Sequence, residues 1–269
     1  IICSLLVIVI HLSASKWYVM DVDDYQSLSL IFFNSFARVS VPIFLMITGV
    51  FMVDPEREIT YKIIIKKYLF KLILIYFIWS SIFAFVSLYF DFGNYDFKQL
   101  IIQFVYRFIK RPVHFWYIYT LFGLYLITPI LRTIFFEKQT RKAFIILSII
   151  SFSFYIFYDA FALETVKHLF ESSNFHLVLG YPLYFLIGRT IFDQDKEEIG
   201  LKKVLPMFFV VPFGTFLLTL IYSKYTGELN EVFFFFLSPN ITIGSSVFFF
   251  FLLKAFKSFN LLSKENKIL

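Results

Sequence analysis

Residues 68–90 read YLFKLILIYFIWSSIFAFVSLYF, and this stretch decides the class of fold. It contains 23 residues and a single charged side chain, Lys71, close to its start. A helix of about 20 apolar residues crosses a hydrocarbon layer about 30 Å thick, and buried helices of soluble proteins are usually shorter. The stretch therefore predicts a helix that spans a lipid bilayer.

Similar apolar stretches recur along the rest of the chain. Of its 269 residues, 59% are hydrophobic and 23% aromatic, and the mean hydropathy is +0.77, which leaves too little polar surface to cover a water-soluble globule. The predicted spans are 1–14, 28–53, 68–90, 113–136, 143–163, 176–192, 204–223 and 232–256. We expect an all-α integral membrane protein, a polytopic bundle of about eight transmembrane helices that forms a single domain over residues 1–269.

The charges between the spans predict the orientation of the bundle. If the start of the chain faces the cytoplasm, 17 of the 25 lysines and arginines fall on the cytoplasmic side, seven fall outside and Arg38 lies within a span. Cationic loops are retained in the cytoplasm, so we predict a multi-pass protein of the cell membrane whose N-terminal side is cytoplasmic. The same bias explains the net charge of +6 without a nucleic-acid partner.

Residues 97–111 differ from the spans. Cations such as Lys98 and Arg107 alternate with apolar residues such as Leu100, Phe104 and Phe108, which predicts an amphipathic helix. Such a helix could lie in the membrane–water interface on the outer side of the bilayer, or it could be a solvated connection over the bundle. The sequence leaves both positions open.

Two of the candidate functional residues are ionisable side chains inside predicted spans. His11 follows the apolar run 7–10, and Arg38 lies well inside the second span, shortly before Pro42. Ionisable groups are costly in a bilayer, so a functional role is the first hypothesis for each. A histidine exchanges protons near neutral pH, and Pro42 favours a helix break that lines a cavity. The structural alternatives are a histidine hydrogen-bonded between helices and an arginine that reaches out to the interface.

Two polar or aromatic clusters mark further candidate positions. His114, Trp116 and Tyr117 stand at the outer start of the fourth span, where an aromatic belt is the alternative explanation. Ser238 and Asn240 flank a proline that interrupts the Phe-rich eighth span, as a cavity wall or as a helix-packing seam. The chain has one cysteine and no metal-ligand spacing, phosphate-binding loop or nucleophile elbow, so no metal site is expected.

Three of these stretches together resemble the acyltransferase 3 family, integral membrane enzymes that O-acylate carbohydrates and other extracytoplasmic acceptors. The stretches are RVSVPIFLMITG at residues 38–49, HFWYIYTLFGLYLITP at residues 114–129, and the first span with its histidine, His11. Residues 181–188 and the region of Ser238 are similar to less specific family features. Family members have about ten core spans, so the resemblance implies a chain that is incomplete at both ends.

The resemblance implies a transferase that uses acyl-CoA as its donor and holds no permanently bound cofactor. An acyl group, most commonly acetyl, would pass from cytoplasmic acyl-CoA to a hydroxyl of a cell-envelope polysaccharide or other glycan on the outer side. His11 and Arg38 are the expected catalytic residues. His11 would act as general base, and Arg38 would hold donor phosphate or stabilise developing negative charge.

The other candidates would bind the substrates. The expected acceptor-binding residues are His114, Trp116, Tyr117, Ser238 and Asn240. Trp116 is able to stack on a sugar ring, and Lys66 and Lys67 stand where the family carries arginines and would contact the nucleotide of acyl-CoA. The alternative function is a transporter or binding module for a small polar solute or glycan, because broken helices and intramembrane charge suit that class as well.

Overall fold

The computed structural model describes residues 1–17, 19–91, 95–110, 115–161, 168, 172, 179–194 and 201–258. Every regular element within these ranges is helical. The main helices are α1 (Ile2–Ala14), α2 (Tyr25–Ala37), α3 (Ser40–Met52), α4 (Tyr61–Tyr89), α5 (Phe97–Ile109), α6 (Trp116–Phe136), α7 (Lys138–Ala160), α8 (Pro182–Gln194), α9 (Leu201–Thr226) and α10 (Pro239–Ser258). A short 3-10 helix, Val232–Phe234, precedes α10.

Six stretches in the described part of the chain are long and apolar enough to cross a membrane. They are Tyr25–Met52, Tyr61–Tyr89, Trp116–Phe136, Lys138–Tyr158, Val204–Thr226 and Val232–Lys257. They overlap six of the eight predicted spans and confirm a polytopic helical membrane fold. The first and sixth predicted spans overlap α1 and α8, each of 13 residues. Such helices rise about 20 Å, less than the hydrocarbon thickness, so they fall short of the length that the other six reach.

The surface of α4 shows why a lipid solvent suits this chain. Between Phe70 and Tyr89, the buried residues are Ser80 and Ala84, whereas Phe77 and Trp79 are about half exposed. Small residues on an inner face allow close helix packing, and lipid covers the large apolar side chains on the outer face. This arrangement is typical of a membrane helix.

The chain forms two compact units. The first contains Ile1–Pro55 and Ile134–Leu269, and the second contains Glu56–Thr133. In the first unit, α3 packs against α1, α8 and α10, while α9 packs against α2 and α10. In the second unit, α5 packs against α4. The break between α2 and α3 therefore lies among the packed helices of the first unit.

The amphipathic segment of the second unit is the helix that the sequence predicts. α5 begins with a capping box formed by Asp96 and Gln99. Arg107 forms an ion pair with Asp91 and donates a hydrogen bond to the Ser87 carbonyl at 2.7 Å, so the polar side of α5 is tied to the end of α4. The choice between an interfacial and a solvated position stays a prediction.

Two glycines allow α3 and α8 to approach closely. A Cβ atom on Gly49 would lie 2.4 Å from the Phe185 Cα, and a Cβ atom on Gly188 would lie 2.4 Å from the Met46 carbonyl oxygen. Both obstacles are backbone atoms that cannot rotate away, so neither position has room for a methyl group. This reciprocal glycine contact holds α3 against α8.

Candidate functional site

The second predicted span is broken at Arg38 and Val39, where α2 ends and α3 begins. Pro42 lies in the first turn of α3, where a proline is tolerated. It has no N–H group to donate to the carbonyl of Arg38, so the helix cannot continue unchanged through this point. The structure confirms the predicted break and places it just before the proline, at the arginine itself.

Arg38 is buried, with 8% of its surface exposed. Its Nε donates a hydrogen bond to Asn34 Oδ1 at 2.9 Å, and its guanidinium carbon lies 5.2 Å from the ring centroids of both Phe234 and Phe236. The distance from Nη2 to Glu231 Oε2 is 3.8 Å, which is beyond hydrogen-bond length. The hydrogen bond to Asn34 and the two aromatic faces contribute to the orientation of the guanidinium, and Glu231 is a charged group close to it.

A cavity of about 410 Å³, called here the Arg38 cavity, opens beside this group. Its lining includes Arg38, Asn230, Glu231 and residues 234–236, and its volume falls in the range of small-molecule sites. The Nδ2 of Asn34 is buried and has no hydrogen-bond partner within the described ranges, and a buried donor of this kind is usually satisfied by a ligand or water. A charged pair with aromatic walls is suited to a hydroxylated or anionic ligand.

The irregular segment 230–238 forms a wall of this cavity. Asn230 Oδ1 accepts a hydrogen bond from the Val232 N–H at 2.9 Å and so starts the 3-10 helix. Tyr184 on α8 donates a hydrogen bond to the Phe236 carbonyl, and Ser238 donates one to the Phe233 carbonyl at 3.5 Å. Non-helical backbone at membrane depth requires such internal partners. The segment is therefore held by a hydrogen bond from α8 and by hydrogen bonds of its own side chains.

The break predicted at residues 238–240 is confirmed, and both of its interpretations apply. α10 begins at Pro239. Asn240 lines a second cavity between α7 and α9, whereas the Gly244 position lies against the side chains of Val211 and Val39. The start of α10 is a cavity wall, and its next turn is a packing seam. Substrate binding by Ser238 and Asn240 stays a prediction.

His11 lies near the end of α1 with an exposed side chain. α1 packs against α2 and α3, the two helices that meet at Arg38. Among the described residues, those that line the Arg38 cavity do not include His11. The catalytic role of His11 stays a prediction.

The remaining predicted site residues belong to the second unit. His114 lies outside the described residues. Trp116 and Tyr117 begin α6 and are half-buried, with their ring centroids 6.1 Å apart and their planes perpendicular. Lys66 and Lys67 are exposed in a π-helical part of α4, Ile64–Leu69, a backbone form that is frequent at functional sites.

A protein-family model described as an acyltransferase domain matches residues 1–268 of the chain. The chain belongs to this acyltransferase family. Comparisons with curated proteins and with solved structures find no match. The match over nearly the full length confirms the family resemblance seen in the sequence. Together with the six spanning stretches, it makes the chain a polytopic membrane member of an acyltransferase family.

Sequence reasoning missed the groups that surround Arg38 in this acyltransferase. Glu231, Phe234 and Phe236 contact its guanidinium but lie far along the chain. One sequence signal was present: an acidic residue stands directly before a Phe-rich run that enters a span. Without the fold, nothing connects that run to Arg38.

Sequence reasoning also missed a buried arginine cluster, which we call the Arg189 cluster. The charge pattern of the sequence places Arg189 among the 17 cytoplasmic cations, whereas in the structure its surface is only 8% exposed. Its Nη1 lies 3.2 Å from Asp54 Oδ1 and donates to the Val50 carbonyl at 3.1 Å, and its Nη2 lies 2.9 Å from Asp193 Oδ1. The i,i+4 spacing of Arg189 and Asp193 could have indicated half of the cluster. The cluster links the end of α3 to α8.

Proposed function

We propose that this protein is an O-acyltransferase that moves an acyl group, acetyl in the first instance, from cytoplasmic acyl-CoA to a hydroxyl of an extracytoplasmic cell-envelope carbohydrate. The observation that carries the proposal is a buried Arg38 at a helix break, beside a cavity with a carboxylate and aromatic walls, in a chain of an acyltransferase family. A buried cation that lines a cavity is suited to a reaction that develops negative charge.

The reaction replaces a thioester with an ester. The acceptor hydroxyl gives its proton to a base while its oxygen attacks the thioester carbonyl carbon, and the carbonyl oxygen becomes negatively charged. This intermediate collapses, the C–S bond breaks, and the thiolate of CoA takes up a proton. His11 is the proposed base because an imidazole titrates near neutral pH, and such proton transfer contributes about 10²–10⁴ in rate.

Arg38 is proposed to stabilise the oxyanion that forms on the acyl carbonyl. Its orientation is set by Asn34 and by the two phenyl rings, so little reorganisation is needed when the charge appears. Glu231 faces the same cavity and is proposed to accept a hydrogen bond from an acceptor hydroxyl. A carboxylate that accepts from sugar hydroxyls would orient the acceptor beside Arg38.

Residues of the second unit are proposed to bind the two substrates. Lys66 and Lys67 are exposed and would attract the phosphates of acyl-CoA on the cytoplasmic side. Trp116 and Tyr117 offer perpendicular aromatic faces, one of which would stack on a sugar ring of the acceptor.

Arg38→Lys tests the central assignment. Lysine keeps the charge but loses the Nε donor to Asn34 and the flat face that the phenyl rings cover. Transfer of labelled acetyl from acetyl-CoA to envelope glycans in membranes should fall about 10²–10³-fold, while the yield of folded protein is unchanged. Arg141→Lys is the matched control, because Arg141 also donates to a carbonyl and lies over a phenylalanine ring, at Phe135, but outside the site. Equal activity of the two variants would remove Arg38 from the mechanism.

His11→Ala tests the proposed base in the same assay. Transfer should drop about 10²–10⁴-fold, and Leu12→Ala, a change at the neighbouring and largely exposed position, should leave it within a fewfold of the unmodified protein. Near-normal transfer by His11→Ala would remove the base assignment. If the unmodified protein neither transfers nor hydrolyses labelled acyl-CoA, the enzyme proposal is wrong, and the transporter or binding-module alternative gains support.

A further inference from the structure

A second cavity lies in the first unit, next to the candidate site and without a part in the reaction described above. It has a volume of about 890 Å³ and lies between α7 and α9, where the first residues of α10 close one end. Its lining is largely apolar and includes Ile156, Phe157, Leu218 and Ile221. We call it the tail cavity. Leu218 and Ile221 are 47% and 66% exposed, so the cavity opens at the surface of a membrane-spanning helix.

The tail cavity and the Arg38 cavity lie on either side of one short piece of backbone. Phe233 lines the tail cavity, whereas its neighbours Val232 and Phe234 line the Arg38 cavity. Asn240, at the wall of the tail cavity, donates hydrogen bonds to the Phe233 carbonyl at 2.8 Å and to Thr215 Oγ1 at 3.1 Å. Segment 230–236 is therefore the shared wall of an apolar cavity and a charged one.

The lining of the tail cavity combines apolar side chains with a few polar ones. Tyr222, Thr226 and Asn240 add hydroxyl and amide groups to the apolar walls, and Tyr222 also packs against the ring of Phe233. Aromatic residues with a polar end favour the boundary between hydrocarbon and water. A molecule with a hydrocarbon chain and a hydroxylated head matches this mixed lining, and a head at the shared wall would lie next to the Arg38 cavity.

We propose that the acyl acceptor is a lipid-anchored carbohydrate whose hydrocarbon chain lies in the tail cavity while its sugar reaches the Arg38 cavity. This inference rests on the proposed function and names the acceptor class for the same site. In the predicted topology, the ends of α7 and α9 that line the tail cavity are the outer ends. The occupant therefore enters from the acceptor side, and the acyl-CoA donor approaches from the opposite side.

The test measures binding without any acyl-CoA, so it does not depend on turnover. The full chain is placed in vesicles of phosphatidylethanolamine and phosphatidylglycerol and exposed to a dodecyl glucoside whose tail carries a diazirine. Photolabelling should map to the peptide around Leu218. Leu218→Trp fills the cavity and should lower labelling about tenfold or more, whereas Leu217→Trp, at the adjacent and similarly exposed position outside the lining, should leave it unchanged. If Leu218→Trp does not fold, Ile221→Trp replaces it.

Two competitors report on the two ends of the ligand. Unlabelled dodecyl glucoside should displace the probe better than dodecanol, which has the tail alone, and Glu231→Gln should remove that difference by weakening the contact to the sugar. A tail-diazirine phosphatidylethanolamine should label the same peptide weakly and should be displaced by dodecyl glucoside. Persistent labelling in Leu218→Trp, equal competition by the glucoside and dodecanol, or strong phospholipid labelling that the glucoside cannot displace would each overturn the inference.

The proposed function and this inference fail in different ways. If glucoside binding behaves as expected but labelled acetyl-CoA gives no transfer to any acceptor, the enzyme proposal is wrong and a site for a lipid-anchored sugar remains. If transfer occurs and Leu218→Trp leaves both transfer and labelling unchanged, the enzyme proposal stands and the tail cavity is not the acceptor site.

Discussion

The two ends of α3 lie next to two buried arginines in opposite surroundings. Arg38 and Arg189 are each 8% exposed. Before the start of α3, Arg38 has a carboxylate 3.8 Å away, two phenyl faces and a cavity of about 410 Å³. Past the end of α3, Arg189 has two carboxylates at 3.2 and 2.9 Å and a helix carbonyl at 3.1 Å. The two arginines are equally buried, but the carboxylates around Arg189 lie closer to its guanidinium than Glu231 lies to that of Arg38.

We infer that this difference separates a charge that stabilises the fold from one that is proposed to take part in the reaction. Arg189 is closely neutralised by Asp54 and Asp193 and lies beside the glycine contact between α3 and α8, so its interactions serve the packing of helices. Arg38 contacts Asn34 and two phenyl rings and lines a cavity. A buried charge that lines a cavity is a common feature of functional sites.

The largest effect on stability is expected from Arg189→Met. Methionine fills similar volume but leaves Asp54 and Asp193 without their cation. Breaking a buried pair costs about 3–5 kcal/mol, and we expect about 3 kcal/mol, at the lower end of that range, because Asp193 is 41% exposed. The measurement is the free energy of unfolding in denaturant for the detergent-solubilised protein. A variant as stable as the unmodified protein would show that the Arg189 cluster does not hold the helices.

The next effect is expected at the glycine contact. Gly188→Ala would place a methyl group 2.4 Å from the Met46 carbonyl oxygen, so α3 and α8 must separate, at a cost of about 1–3 kcal/mol. Gly123→Ala is the matched control, since nothing lies within 4 Å of a Cβ atom there, and it should be neutral or stabilising by up to about 1 kcal/mol. Thermal unfolding of both variants measures the contrast. Equal unfolding temperatures of the two variants would mean that α3 and α8 can separate to admit the methyl group at little cost.

A smaller change is expected from Arg38→Met, and this prediction most directly sharpens the contrast between the two arginines. The variant loses two cation–π contacts and the hydrogen bond to Asn34, and it also removes a buried charge whose desolvation opposes folding. The free energy of unfolding should therefore change by about 1 kcal/mol or less. If Arg38→Met unfolds as readily as Arg189→Met in the same denaturant series, Arg38 is a structural charge and the contrast fails.

The smallest effect is expected at an exposed carboxylate outside the spans. Glu137 accepts hydrogen bonds from the hydroxyl and backbone N–H of Thr140 and from the Gln139 N–H, which hold its pKa below the usual value. Because the folded pKa is lowered, this stabilisation is present above the unfolded pKa and disappears as pH falls through the folded pKa. The gap in unfolding midpoint between the unmodified protein and Glu137→Gln should be small at neutral pH and should close in acid. A gap that widens in acid would contradict the assignment.

Part of the candidate site follows from sequence because it rests on local properties. An arginine inside an apolar stretch is anomalous wherever the stretch packs, and Pro42 lacks an N–H group in any fold. The serine–proline break before Asn240 is local in the same sense. Arg38 and the break at 238–240 therefore stand out in the sequence, and the structure brings segment 230–238 against Arg38.

The partners of these residues could not be predicted in the same way. Glu231 and the phenyl rings that contact Arg38 come from the other end of the chain, and their Phe-rich run resembles an ordinary lipid-facing surface. Arg189 lies close to the cytoplasmic end of the predicted span 176–192, so the charge pattern alone groups it with the cytoplasmic cations and does not reveal that it packs inward against the end of α3. The sequence alone gives no information about the distances between helices.

The length, hydropathy and charge pattern of the chain establish a helical membrane protein and the places where its helices break, because each depends only on neighbouring residues and the solvent. The RVSVPIFLMITG and HFWYIYTLFGLYLITP stretches also point to the acyltransferase family that the full-length match confirms. The pairing of Arg38 with Glu231, the closure of α3 on α8 through glycines and the two cavities beside segment 230–236 depend on how helices cross. Such contacts join residues far apart in the chain, so they exist only once the helices have packed.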